Sequence, residues 1–415
     1  MKQALSFSVL RIRNFRLLLI TRLFTVTALQ AQAVIVGWQI YSLTKDPFLL
    51  GLTGLAEALP AIACAFFAGH IVDTGAPRKI YTACVTALAL NMLGLLTIAG
   101  GFVYLEKETL LPYIFSAVFF SGLARSFLMP SVFSLLHKVV SRDDIPSAMA
   151  WLSSNTQIAL ITGPAAAGIV YGGYGAHGAW ILPAVLMVSA VIMSLSLRGV
   201  NVRNSDTREP IMESIRAGWR FILRTPVLLS VMTLDMFAVL FGGAVAMLPA
   251  YADQILHVGP EGLGALRAAP AMGAIVTALF LATQPMKTIS AKRLLVAVTG
   301  FGLCMIGFGL SEVFWLSMAF LIISGCFDSA SMVIRSTLMQ LLTPDNMRGR
   351  VSSINSMFII SSNEIGAFES GVAARFLGLV PSVVMGGIAT LAVVGTIAFS
   401  SPKFRKTVVE TKLSQ

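Results

Sequence analysis

Nine ionisable side chains interrupt stretches that are otherwise small and apolar: Arg22, Glu57, Arg125, Asp235, Arg267, Asp328, Arg335, Glu364 and Glu369. A carboxylate in such surroundings is caught between two influences. Desolvation favours its protonated form and a nearby cation its charged form, so a change of conformation can load and unload a proton. Glu57, Asp235, Asp328, Glu364 and Glu369 are therefore the candidate proton-coupling residues, with Glu57 and Asp235 foremost. An arginine stays charged and offers a planar fork to an anionic or catecholate-like ligand, which makes Arg22, Arg125 and Arg267 the candidate substrate-binding residues. The competing reading of each acid is a structural ion pair or a hydrogen bond between helices, and it carries equal weight for any single residue. Asp328 and Arg335, seven residues apart, share a helical face but are separated by about 10 Å along the axis, so no direct bond between them is expected. Glu364 and Glu369 diverge by about 140° around a helix. At least one of the two is expected to be structural. The four histidines fall near span ends or in loops and are less suited to coupling.

The elements that must position these charges follow from the solvent. Of 415 residues, 56% are hydrophobic and only 12% charged, against roughly 25% charged in soluble domains. A helix needs about 20 apolar residues to cross the hydrocarbon core, and twelve such stretches are present: 17–40, 48–69, 80–103, 112–136, 151–173, 179–197, 227–252, 262–284, 294–311, 314–342, 351–376 and 380–400. Backbone amides in lipid must be satisfied within the segment, and the ten-residue alternation of a membrane barrel is absent. An all-α membrane protein of twelve transmembrane helices is expected. Each ionised side chain at the centre of a span costs about 2.5–3.5 kcal/mol, so the nine charges should point inward, toward water or one another.

The net charge of +11 is distributed loop by loop. With a cytoplasmic N-terminus, 23 of the 30 Lys and Arg fall in inner segments, two (Lys45 and Lys107) in outer loops, and five within spans. This is the positive-inside pattern of a multi-pass inner (plasma) membrane protein with both termini cytoplasmic. A nucleic-acid partner is not expected. The first apolar stretch exceeds the 7–15 residues of a signal-peptide core and reads as a retained helix. Cys64, Cys84, Cys304 and Cys326 lie within spans without CxxC spacing, so they read as packing residues, with no metal or disulfide framework.

Residues 198–226 are the one polar interruption, and Ile211, Ile215, Trp219 and Ile222 recur there at helical spacing between arginines. An amphipathic helix on the inner leaflet is expected. The linker divides the chain into an N-terminal six-helix bundle, 1–197, and a C-terminal six-helix bundle with a short tail, 227–415. The halves echo each other. GLAEALPA at 54–61 returns as GALRAAPA at 264–271, with Glu57 matched by Arg267. GLARS at 122–126 returns as GCFDS at 325–329, with Arg125 matched by Asp328, and VSRDDI at 140–145 is echoed by LTPDNM at 342–347. Duplicated six-helix halves hold their site at the midplane. Opposite charges on matched positions would then face one another across an aqueous crevice.

The loop GHIVDTGAPRK, residues 69–79, resembles the G-x-x-x-D-R-x-G-R-K/R motif of the major facilitator superfamily through Gly69, Asp73 and the basic pair Arg78 and Lys79, which falls one residue later than in the motif. Thr74 and Ala76 replace the usual arginine and glycine. ITGPAAAG in the fifth span resembles the superfamily's antiporter motif through Gly163, Pro164 and Gly168. The resemblance implies gating roles for these seven residues. Helix capping by Asp73, anchoring by Arg78 and Lys79, and close packing at Gly163, Pro164 and Gly168 are the plainer readings. NFRLLLITRLF, GLAEALPA, GLARSFLMP, LRAAPAMGA and IRSTLMQLLTPDNMRGRVSSINSMFIISSNEIGAFESG are similar to the enterobactin-exporter and macrolide-efflux branch of that superfamily. That branch implies proton-driven export of small molecules, siderophores and antibiotics among them. A monomer is expected, with protons and membrane lipid as its other partners and no cofactor. Lipid or lysolipid flipping, uptake, and a non-transporting sensor or assembly partner are the rival expectations. An enzyme is not expected, since HExxH and GxSxG are absent, and neither is ATP drive, for want of a P-loop.

Overall fold

The computed structural model describes residues 7–103, 105–198, 211–284, 286, 288–344, 347–405 and 407–410. Helices account for nearly all of them, as the hydrocarbon requirement dictates. After a 3₁₀ turn at Phe7–Arg11 come α1 (Arg13–Thr44), α2 (Pro47–Thr74), α3 (Pro77–Ile98), α4 (Lys107–Val139) and α5 (Ile145–Leu195). The 51 residues of α5 are two spans, because Gly175 at φ 65° breaks the helical path between them. The linker helix α6 (Ile211–Arg224) precedes α7 (Pro226–Phe241), a 3₁₀ turn (Gly243–Met247) and α8 (Leu248–Gln254), which share one span. The expected continuous helix over 227–252 is interrupted at the Gly242–Gly243 pair, where helix is least favoured. Next are α9 (Gly259–Thr283), α10 (Ala291–Leu310), α11 (Phe314–Leu342), α12 (Arg348–Leu377), α13 (Leu379–Ser400) and the short α14 (Pro402–Arg405). All twelve expected spans therefore fall on helices. Among the described residues ten segments are long and apolar enough to cross a membrane; α5 supplies two spans, and α12 carries too many Ser, Asn and Glu to qualify by composition.

One element departs from an all-helical reading. β1 (Thr288–Ser290) pairs antiparallel with β2 (Val408–Glu410), Ile289 opposite Val409. Both are three-residue strands at the polar ends of spans, too short for any periodicity to announce them.

Packing groups the chain into two units, and two short segments leave the half in which the sequence places them. The first unit is Met1–Lys45, Ala56–Asp206 and Val258–Ala268; the second is Asp46–Leu55, Thr207–His257 and Ala269–Gln415. In the first unit α1 lies along α5, and α3 packs on α4 and α5. Its interior is tied by side-chain amides: Asn91 Nδ2 donates to Ser121 Oγ at 2.8 Å, Gln39 Nε2 to the Ala99 carbonyl at 2.6 Å, and Trp180 Nε1 to Gln39 Oε1 at 3.0 Å. Such bonds between helices replace the hydrophobic drive that lipid does not supply.

In the second unit α10 sits between α11 and α13, while α12 packs on α7. Leu228, Val231, Leu294 and Leu338 form its core together with Ile289 of β1 and Phe404 of α14, so the tail closes the base of this unit. The apolar face of α6, expected to lie on the inner leaflet, packs on protein at Trp219 and Ile222. Ile222 is 1% exposed, Trp219 meets Phe358 edge-on at 5.4 Å, and Gly218 brings α6 against Ile354 of α12.

Candidate functional site

In the second unit Asp235, nine residues into α7, meets Arg335, which stands seven residues before the end of α11. Both side chains are buried and they form an ion pair. Two turns above Arg335 on the same face of α11, Asp328 lines a small pocket with Ser331, with Asp235, Ala238 and Val239 of α7, and with Val298 and Phe301 of α10. Asp235 thus belongs to both arrangements: it holds Arg335 and shares a cavity with Asp328. Asp328 itself makes no ion pair or side-chain hydrogen bond among the described residues. The geometry is one guanidinium and two carboxylates in an apolar enclosure.

In the first unit Glu57 of α2 pairs with Arg125 of α4, with side-chain exposures of 23% and 39%. Glycine makes the approach. Gly122 lies against the Glu57 carbonyl and the Pro60 ring, so no side chain could stand there. The second unit repeats the device, with Gly325 of α11 against Pro270 of α9. The matched motifs GLAEALPA/GLARS and GALRAAPA/GCFDS are therefore helix–helix contacts of the same kind in each unit. Glu57 finds its counter-charge inside its own unit, on the second of the paired motifs. In the third echo, Asp345 and Asn346 lie outside the described residues.

Arg22 of α1 donates to Met129 Sδ at 3.1 Å and to Thr156 Oγ1 at 3.2 Å. Arg267 of α9 and Glu364 of α12 are half-buried and engaged by other groups, Glu364 lying against Gly54 of α2 within the second unit. Glu369 is half-buried on α12 beside Ser370. The residues that sequence reasoning missed are Arg335 as the partner of Asp235, and Tyr81, whose hydroxyl is buried near Arg22 without a hydrogen bond. A separation of 100 residues hides the first from any local pattern.

The loop motif spans the end of α2 and the start of α3. Gly69 is surrounded by open space, Asp73 occupies the last turn of α2, and Lys79 is exposed. Arg78 donates Nη2 to the Leu195 carbonyl at 3.1 Å, placing a cation at the negative end of α5. In ITGPAAAG the glycines are contact points. A Cβ at Gly163 would stand 2.8 Å from the Thr27 carbonyl of α1, and one at Gly168 would stand 2.6 Å from the Pro260 carbonyl and 2.9 Å from Gly264 Cα, where α9 begins. Gly168→Val is expected to cost about 1–3 kcal/mol by overpacking against immovable backbone, while Gly173→Val, where a Cβ meets nothing within 4 Å, is expected to change stability by less than about 0.5 kcal/mol. Thermal unfolding of the two variants in detergent checks the difference.

Comparison with known proteins extends these observations over the whole chain. Two enterobactin exporters named EntS align along it: that of Citrobacter koseri is 24% identical over 383 residues, 92% of this chain and 90% of the other, and that of Shigella boydii serotype 4 is 23% identical over 379 residues, 91% and 89%. Among solved structures, the nucleoside transporter NupG superposes with a TM-score of 0.74 at 12% identity, covering 94% of this chain and 100% of that one. A peptide-bound transporter of the POT family superposes at 0.73 with 13% identity, covering 95% and 97%. Those likenesses establish the fold. The model of the transmembrane secretion effector family matches residues 4–412, so the chain belongs to that family and is a membrane transporter of the major facilitator superfamily.

Proposed function

We infer that the protein is a secondary active exporter, moving a small amphipathic molecule across the inner membrane in exchange for protons by alternating access, as a monomer with both termini cytoplasmic. The carrying observation is the unequal charge count around Arg335. One guanidinium compensates one carboxylate; the second, from Asp235 or Asp328, must be met by a proton or stand unpaired in an apolar pocket. The arrangement holds one exchangeable proton, and a change in packing between α7 and α11 alters how closely Asp235 approaches Arg335 and hence which of the two carboxylates carries that proton. Glu57, paired with the more exposed Arg125, is a second coupling acid in the first unit; Glu364 and Glu369 on α12 are further candidates, and Arg125 and Arg267 remain candidate cargo contacts. Export is supported by the relatives named enterobactin exporters, and the positive-inside charge pattern supports the orientation.

The test is proton movement. Purified protein in liposomes with entrapped pyranine is challenged with a panel of siderophores, macrolides and aromatic acids under an imposed pH gradient. At least one compound is expected to drive proton flux that a protonophore abolishes and that Glu57→Gln or Asp235→Asn suppresses. Cargo movement indifferent to the gradient would overturn the coupling.

A further inference from the structure

Arg125 and Arg335 are each neutralised by a carboxylate, Glu57 and Asp235 respectively. Arg22 has no carboxylate partner among the described residues. It lies nine residues into α1, about 13 Å along the axis. Its two hydrogen bonds go to a thioether and a hydroxyl, neither of which carries charge, and its Nε–H is buried with no acceptor.

Other unsatisfied groups gather around it. Tyr81 of α3 is 1% exposed, lies within electrostatic reach of Arg22, and has a hydroxyl with no hydrogen-bond partner. Asn155, next to Thr156 on α5, donates Nδ2 to the Leu19 carbonyl at 2.9 Å and leaves its buried Oδ1 without a donor. Buried polar groups in native proteins are almost always hydrogen-bonded. Several orphans beside an uncompensated cation describe a site that a ligand completes.

The inventory of those groups fixes the chemistry of the ligand. The Nε–H of Arg22 can only donate, the Tyr81 hydroxyl can donate, and Asn155 Oδ1 can only accept. Donors around a fixed positive charge select an anionic oxygen group, and the single acceptor selects a hydroxyl beside it. Met129, 45% exposed and in contact with the guanidinium, offers soft apolar surface to the body of the molecule. Resting on the exporter reading above, we propose that Arg22, Tyr81 and Asn155 form a subsite in the first unit that holds the acidic head of the cargo, and that the cargo is a hydroxylated organic acid of amphipathic build. Arg22 takes the anionic oxygen, Tyr81 donates to the same group, and Asn155 accepts from the neighbouring hydroxyl.

The probe is a hydroxynaphthoate with its hydroxyl ortho to the carboxylate, compared with its primary amide, which keeps the shape and removes the charge. Binding to the full chain in lipid nanodiscs is followed by naphthyl fluorescence. The wild type is expected to bind the anion at least about tenfold more tightly than the amide, as charge-assisted hydrogen bonds require. Arg22→Gln is expected to bring the two affinities within about twofold, and Tyr81→Phe to weaken the anion by about three- to tenfold while sparing the amide. Equal affinities in the wild type, or an undiminished preference in Arg22→Gln, overturns the proposal. Should Arg22→Gln fail to fold, an unchanged preference in both Tyr81→Phe and Asn155→Leu overturns it equally. The exporter reading fails separately: charge-selective binding without any gradient-driven proton flux leaves the subsite standing and removes the coupling, whereas coupled flux with no charge preference does the reverse.

Discussion

Arg335→Met destabilises the protein by about 3–5 kcal/mol, and adding Asp235→Asn restores it to within about 1 kcal/mol of the wild type. The first loss is large because Asp235, 4% exposed, would be left as a buried carboxylate without its guanidinium. The recovery follows because a neutral amide opposite a thioether leaves no charge to compensate. The corresponding change in the first unit, Arg125→Met, costs far less, since Glu57 and Arg125 are 23% and 39% exposed and water can serve either one. Thermal unfolding in detergent, run as a double-mutant cycle on each pair, separates the two sites. Equal costs at Arg125 and Arg335 would contradict the difference in burial.

Asp328→Asn is expected to abolish gradient-driven transport, by about a hundredfold or more, the scale on which positioned acid–base groups act. Counterflow of labelled cargo without a gradient should remain close to the wild-type rate. With Asp328 neutral, Arg335 and Asp235 form a closed pair and the pocket has no second carboxylate for a proton to visit. In the proposed exchange cycle, binding and reorientation do not need that proton, so exchange survives where uphill movement fails. Gradient-driven uptake and counterflow, measured on one batch of proteoliposomes, distinguish the outcomes. If both fall together, Asp328 is structural.

Much of the molecule was open to reading from residue order. Twelve apolar stretches became twelve helical spans because hydropathy compares each short segment with one fixed thickness of hydrocarbon, a local test. The paired motifs were visible for the same reason, and Gly122 against Pro60 and Gly325 against Pro270 show why both copies keep a glycine there. What stayed hidden is equally specific. Nothing in TLDMF or VIRST indicates that Asp235 and Arg335 meet, and the proline-bounded segment around Gly168 does not announce that its neighbours are Pro260 and Gly264. The three-residue strands at Thr288–Ser290 and Val408–Glu410 were too short to carry a period.

By itself, then, the order of residues determined the solvent, the number of crossings, the duplication and the identity of the charges that lie in the spans. The tertiary structure alone decided which cation answers which carboxylate, that Asp328 shares its pocket with an already paired acid, and that Arg22 is left with neutral neighbours. The physical reason is range. Burial in lipid is decided within some twenty residues of one helix, whereas a counter-ion is whatever side chain the packing of separate helices brings within a few ångströms, and sequence distance places no limit on that.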